Sequence, residues 1–239
     1  MTYIQADWPA PSHIKAYTTV RSSWGGRNPH SLLGKPEFTE ENHRLTSLLP
    51  LPDEPVWIKQ THSAIVLEAK PENREQNGDA SFTSKPNQVC VVLTADCLPV
   101  LITNKQGTHV AAAHAGWRGL ASGIIENTIQ ALQQSHDDLL IWLGPAIGPQ
   151  KFEVGQDVYD AFTHLHAESE SAFTSCSEGK WLANLYELAR IRLGLIGVAH
   201  HQIYGGNYCT FSQEELFFSY RRDKGKTGRM ASLIWIENN

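Results

Sequence analysis

Three short segments of this 239-residue chain each place one soft or borderline metal donor among small residues: Gln60-Thr61-His62-Ser63, Ala95-Asp96-Cys97 and Ala113-His114-Ala115-Gly116. Two imidazoles and a thiolate make a coherent zinc set. A catalytic zinc takes three protein ligands and keeps a fourth position for water, whereas a structural zinc is closed by four. Water in that position loses its proton near pH ~7, so a His2Cys set with no evident fourth ligand favours catalysis. The spacing follows no H-E-x-x-H or C-x-x-C register, and an ordinary core or surface role is the default for any one of the eleven histidines. Cys97 likewise has a small buried apolar side chain as its default. Against that stands Asp96, an acid between two apolar runs, where a carboxylate is costly to bury unless paired. Cys97 could instead be a nucleophile activated by His114, with amides near Gly116 as an oxyanion hole. The residues alone leave both chemistries open.

Arginines supply the second half of a possible site. Arg118 stands at the expected entry of a helix, where backbone amides and the helix dipole also favour an anion. Arg222, in Tyr220-Arg221-Arg222-Asp223, and Arg21, in the glycine-rich Arg21-Ser22-Ser23-Trp24-Gly25-Gly26, offer further guanidinium forks suited to phosphate or carboxylate. Surface salt bridges account for each of them equally well.

These residues need strands and a helix to hold them. Val89 to Thr94, Pro99 to Thr103 and Thr108 to Ala113 read as consecutive strands of one sheet, the last two joined by the turn Asn104-Lys105-Gln106-Gly107. From Leu120 the apolar positions Ile124, Ile125, Thr128, Ile129 and Leu132 recur at helical spacing. Leu139 to Leu143 reads as a buried strand ended by the breaker-rich loop Gly144 to Pro149, which must be held in a defined shape. Helices over Gln156 to Leu165 and Asn184 to Leu193 and a strand over Ser232 to Ile236 follow. Asn73 to Asp79 and Ser169 to Gly179 are polar enough for surface loops. Tight turns between strands favour a single-domain α+β layered sandwich over a doubly wound parallel sheet, which needs a helix at every crossover.

Composition agrees with one folded unit over residues 1–239. Hydrophobic residues make up 41% and charged residues 19%, enough to bury a core and far from a disordered signature. A net charge of −5 argues against nucleic acid as a partner. No apolar run reaches the length of a membrane span and no signal-peptide pattern opens the chain, so a cytoplasmic location is expected. Four cysteines without a C-x-x-C pair argue against a disulfide framework or a zinc ribbon. No exposed apolar stripe points to self-association, and a monomer is the expectation.

Ordered along the chain, Thr94-Ala95-Asp96-Cys97-Leu98-Pro99-Val100, His114-Ala115-Gly116-Trp117-Arg118-Gly119, Leu143 to Pro149, Phe152-Glu153-Val154-Gly155, Phe218 to Asp223 and Thr227-Gly228-Arg229 closely resemble the YfiH-type laccase-domain family. Its members are also described as polyphenol oxidases, purine nucleoside phosphorylases and peptidoglycan editing factors. The resemblance implies metal ligands at His62, Cys97 and His114, and a layered α+β sandwich distantly similar to a cysteine-dependent toxin deamidase. It implies phosphorolysis of adenosine, inosine and methylthioadenosine and hydrolytic deamination of adenosine. Asp96 then becomes a candidate proton shuttle for attack on C6 of adenine, and Arg118, Arg21 and Arg222 candidate phosphate clamps. A copper ion on the same ligands would serve phenol oxidation instead, although one such site is a poor multicopper oxidase. A peptidoglycan precursor is a further candidate partner. The sequence departs from the family pattern at Ser63, where glycine is common and access to His62 is expected to tighten. It also departs in a shortened loop at Ser31-Leu32-Leu33-Gly34-Lys35, and at Asn184, where an acid is common.

Overall fold

The computed structural model describes residues 2–24 and 45–238. The shortened loop at Ser31 to Lys35 lies outside them. The chain forms β1 (Tyr3–Gln5), β2 (Ile14–Thr19), β3 (Val66–Glu68), β4 (Ala80–Thr83), β5 (Cys90–Thr94), β6 (Leu98–Asn104) and β7 (Val110–Ala115). Helices α1 (Trp117–Ala121) and α2 (Ile124–Leu132) precede β8 (Leu139–Leu143), β9 (Glu153–Gly155) and α3 (Gln156–Thr163). Strands β10 (Phe173–Ser177) and β11 (Lys180–Ala183), helix α4 (Leu185–Leu195), β12 (Ile203–Gly205) and β13 (Met230–Ile236) complete the described elements.

Strands β12-β8-β6-β7-β4-β3 make a six-stranded sheet, β1-β2-β13-β5 a four-stranded sheet and β10-β11-β9 a small third one. Only β3 with β4 and β12 with β8 pair parallel among them. The result is a mixed α+β layered sandwich. The six-stranded sheet is covered on both faces. Val100, Ile102, Ala111 and Ala113 pack with Leu120, Ile124 and Leu188 in the helical layer. Leu101, Val110, Ala112 and Trp142 point the other way, against β5 and β13 residues such as Val91, Leu233 and Trp235. A strand buried on both faces reads as a continuous apolar run rather than an alternating one, which is how Cys90–Thr94 and Leu139–Leu143 look in sequence.

Several expectations need correction. The strand over Val89 to Thr94 does not join the next two. It pairs with β13 in the four-stranded sheet, Met230 opposite Thr94, while β6 pairs with β7 and β8 in the other sheet. The change of sheet happens at Ala95-Asp96-Cys97, where Asp96 takes the left-handed φ of 86°. The helix expected from Leu120 begins earlier, at Trp117, and is split in two by Gly123 at φ 88°. The expected Ser169 to Gly179 loop contains β10, paired with β11. The other expected surface loop ends in buried Asp79. At Asn184, the side chain accepts the Glu187 N–H at 3.2 Å and caps α4, a role asparagine fills as well as aspartate. Among the described residues no helix is long and apolar enough to cross a membrane.

The Gly144 to Pro149 loop is held as expected, by main-chain bonds to Pro99, Asp96 and Thr210 and by Tyr186. Its buried hydroxyl accepts the Ala146 N–H at 2.8 Å and faces the carbonyls of Gly144 at 3.2 Å and Tyr208 at 3.0 Å. Tyr186→Phe strands a buried N–H, so urea unfolding should show a loss of about 1–3 kcal/mol.

Candidate metal centre and cavity

The register of β6 on β7 sets the centre. Leu98 lies opposite Ala115 and Pro99 opposite His114, so Cys97, one residue before β6, emerges beside His114 and Gly116. His62 arrives from a loop that follows the free edge of β5. There the Gln60 side chain behaves like a short strand, accepting the Leu93 N–H at 2.7 Å and donating to the Leu93 carbonyl at 2.8 Å. The donor atoms of His62, Cys97 and His114 lie within 4.8 Å of one another, the one such group among the described residues. Cys97 Sγ is 3.8 Å from His62 Nε2, and the two imidazoles meet edge to face with centroids 4.7 Å apart.

Burial grades the three ligands. His114 is buried, Cys97 half-buried and His62 exposed. Burial alone would raise the Cys97 thiol, but the His114 charge and bonds from both imidazoles outweigh it and bring the thiol down to about 6. Burial would lower His114, but the Cys97 and Asp79 charges and bonds reverse this and carry it up to about 9. A soft anionic donor beside two imidazoles is a metal-binding set, and the residues present fit such an ion.

Asp79 is the residue that sequence reasoning missed. Its carboxylate is fully buried, held well below the ordinary range because bonds from His114 and Ser63 outweigh desolvation. Oδ1 accepts the His114 Nδ1–H at 2.8 Å and the His62 N–H at 2.9 Å. Oδ2 accepts the Ser63 N–H at 2.6 Å and the Ser63 hydroxyl at 2.7 Å. Ser63 therefore turns toward Asp79 and leaves His62 open, contrary to the tighter access expected from the absence of glycine. No local signal marked it, because Asp79 closes the polar stretch Asn73 to Asp79 and differs from a surface acid only in standing directly before β4.

The three ligands sit on a cavity of about 400 Å³, walled by Trp117, Ile147, Phe152, Leu185 and Tyr220 among others. Asp96 also lines it, but its carboxylate is committed: Oδ1 accepts the Thr210 hydroxyl at 2.6 Å, and Oδ2 accepts the Ser219 hydroxyl at 3.0 Å and the Arg221 N–H at 2.7 Å. Those bonds clamp the 210–221 segment.

Of the three arginines expected to bind phosphate, the structure brings one to the cavity. Arg118 lines it, exposed and resting over the Trp117 ring at 4.2 Å, with no ion pair among the described residues. Because α1 has only five residues, the guanidinium, not a helix dipole, is the anion-attracting feature there. Arg222 is a staple. It bonds Asp223 at 2.8 Å and the carbonyls of Thr210, Phe211 and Phe217. Arg21 pairs with Asp223 at 3.4 Å and lies over Phe218; neither Arg21 nor Arg222 is among the residues lining the cavity. Arg221 and Arg229 line it instead. Neither forms an ion pair among the described residues, and burial lowers the Arg229 pKa.

Residues 34–237 match the family model described as multi-copper polyphenol oxidoreductase laccase. A purine nucleoside phosphorylase of Pseudomonas aeruginosa is 46% identical over 245 residues, covering 99% of both chains. The chain belongs to the YfiH-type laccase-domain family. The Escherichia coli purine nucleoside phosphorylase YfiH is 45% identical, covering 98% of each chain. The crystal structure of a Neisseria meningitidis member, 42% identical, superposes with a TM-score of 0.89 over 100% of both chains. The family's short glycine-rich motif has a steric reason here. A Cβ on Gly116 would lie 2.9 Å from Cys97 Sγ and 3.0 Å from His62 Cδ2, and one on Gly119 would lie 2.9 Å from the Ser63 carbonyl oxygen.

Gly116→Ala should therefore spread the ligands. Elemental analysis after dialysis against a weak chelator should find metal affinity reduced at least roughly tenfold, the size of effect that disturbed ligand support produces.

Proposed function

We propose that residues 1–239 act as one zinc-dependent purine nucleoside phosphorylase, cleaving adenosine, inosine and methylthioadenosine and also deaminating adenosine. The observation that carries the reading is the His62, Cys97 and His114 trio opening onto a cavity that combines aromatic walls with guanidiniums that have no carboxylate partner among the described residues. The names of the relatives support the substrate class. An ideal tetrahedral zinc with Zn–S ~2.3 Å and Zn–N ~2.0–2.1 Å has an S···N edge of about 3.6 Å, close to the 3.8 Å between Cys97 Sγ and His62 Nε2. His114 Nδ1 is tied to Asp79, leaving Nε2 for the metal. When bound, zinc supplies a Lewis acid that brings water within reach of deprotonation near neutral pH.

The chain's own residues do the rest. Tyr220, Trp117 and Phe152 offer flat or apolar surface to a purine base. Arg118, with Trp117 beneath it, and Arg229 offer the positive charge that holds phosphate next to C1′ and balances the oxocarbenium-like transition state. Arg221 is positioned for the same anion by its backbone bond to Asp96. The clamp role thus passes from Arg21 and Arg222 to Arg229 and Arg221. Copper-based phenol oxidation has less support, because one three-donor group among the described residues suits a multicopper reaction poorly.

One arrangement favours a second reading. Asp79, His114 and Cys97 form an acid, imidazole and thiol in sequence, the order of a cysteine hydrolase. Full activity in excess chelator, lost on thiol alkylation, would establish that reading and exclude the first.

For the phosphorolytic reading, His62→Ala and His114→Ala should lose both zinc and base release from inosine in phosphate buffer. Arg118→Ala should raise the phosphate KM roughly 10- to 100-fold, about 1.4–2.7 kcal/mol, with a much smaller change in the nucleoside KM. Chromatographic product analysis decides it: unchanged turnover in both histidine variants would sink the assignment.

A further inference from the structure

Two of the three metal donors depend on one buried carboxylate. Asp79 grips His114 at both ends of the residue: its main-chain carbonyl accepts the His114 N–H at 2.7 Å and its Oδ1 accepts Nδ1–H at 2.8 Å. With Nδ1 carrying the proton, the free lone pair is on Nε2. The same carboxylate also collects three successive main-chain N–H groups, those of Thr61 at 3.1 Å, His62 at 2.9 Å and Ser63 at 2.6 Å, together with the Ser63 hydroxyl. Successive amides wrapped around an anion form a nest. His62, in the middle of it, has φ 61°, a left-handed conformation that a non-glycine residue keeps only when its surroundings enforce it. Asp79 itself is tethered, its N–H donating to the Ile65 carbonyl at 2.9 Å.

We infer that Asp79 is the positioning residue that assembles the metal centre, selecting the His114 tautomer and holding His62 in its strained conformation through one shared carboxylate. The inference rests on the metal-binding reading of His62, Cys97 and His114. Ser63 belongs to the same device, because its hydroxyl adds a bond to Asp79 that a glycine at this position could not make. Asparagine at position 79 has the right shape and the wrong polarity. Whichever way its amide is turned, its NH2 faces donors: the His62 and His114 N–H groups on one side, or the Ser63 N–H and hydroxyl and the Thr61 N–H on the other.

The test compares wild type, Asp79→Asn and Ser63→Ala as full chains, with zinc affinity measured by competition against a chromophoric chelator. Imidazole 15N resonances are recorded on the metal-free proteins at a pH above the value of about 9 to which His114 is raised, where the ring is neutral and its tautomer can be read. Expected are a 10- to 100-fold loss of zinc affinity in Asp79→Asn, a smaller loss in Ser63→Ala, and replacement of the pure Nδ1–H tautomer of His114 by a mixture in Asp79→Asn. A stability loss alone, with zinc affinity within twofold of wild type and the His114 tautomer unchanged, would overturn the inference. Should Asp79→Asn fail to fold, Ser63→Ala decides: unchanged affinity overturns the shared-carboxylate device. Wild type that binds no zinc would instead overturn the metal reading, while the tautomer measurement still reports on Asp79.

Discussion

The antiparallel register of β6 on β7 is the constraint from which the centre follows. With Pro99 opposite His114, the thiol that precedes one strand and the imidazole near the end of the other must come together. A shift of one residue would send every side chain of these strands to the opposite face. Such a shift is blocked, because both faces are buried: Val100 and Ile102 belong to the helical layer and Leu101 to the inter-sheet layer. The hydrophobic core therefore specifies the candidate metal centre indirectly, by making the register non-negotiable.

Electrostatics completes what packing begins. A carboxylate, an imidazole and a thiol lie in series from Asp79 through His114 to Cys97, and each stabilises the charge of the next against desolvation. Asp96 and Asp223 act on the opposite wall. Asp96 draws in Thr210, Ser219 and the Arg221 amide, and Asp223 holds Arg222 and Arg21. Their shared effect is to pin the segment that carries Tyr220 and Arg221 over the cavity. Arg118 and Arg229 have no such carboxylate partner among the described residues, and both line the cavity. Buried acids here organise the wall of the cavity.

Much of this was legible beforehand where the signal was local. The apolar runs of β6, β7, β8 and β13, the α2 stripe and the breaker-rich loop after Leu143 all lie where residue patterns put them. The strands of the N-terminal region and β3, β4 and β9–β12 carry no such local signal. They are short or carry mixed polarity, and their pairing partners lie far along the chain. The assignment of β5 to the wrong sheet has the same origin, since nothing in Val89 to Thr94 announces that β13 waits more than a hundred residues away.

By itself the sequence determined the donor types and the glycines that let them approach, because each is a property of a residue and its immediate neighbours. It could not rank the arginines. Arg21, Arg118 and Arg222 look alike in one dimension, and only the fold decided that Arg222 is consumed by three carbonyls and Asp223 while Arg118 stands free at the cavity. Nor could it distinguish the two acids. Asp96 stands out as an acid between two apolar runs, whereas Asp79, seventeen residues beyond His62 and thirty-five before His114, touches both only because β4 pairs with β7. Hydrogen bonds are short-ranged, so which carboxylate reaches His62 and His114 is settled by strand pairing and not by distance along the chain.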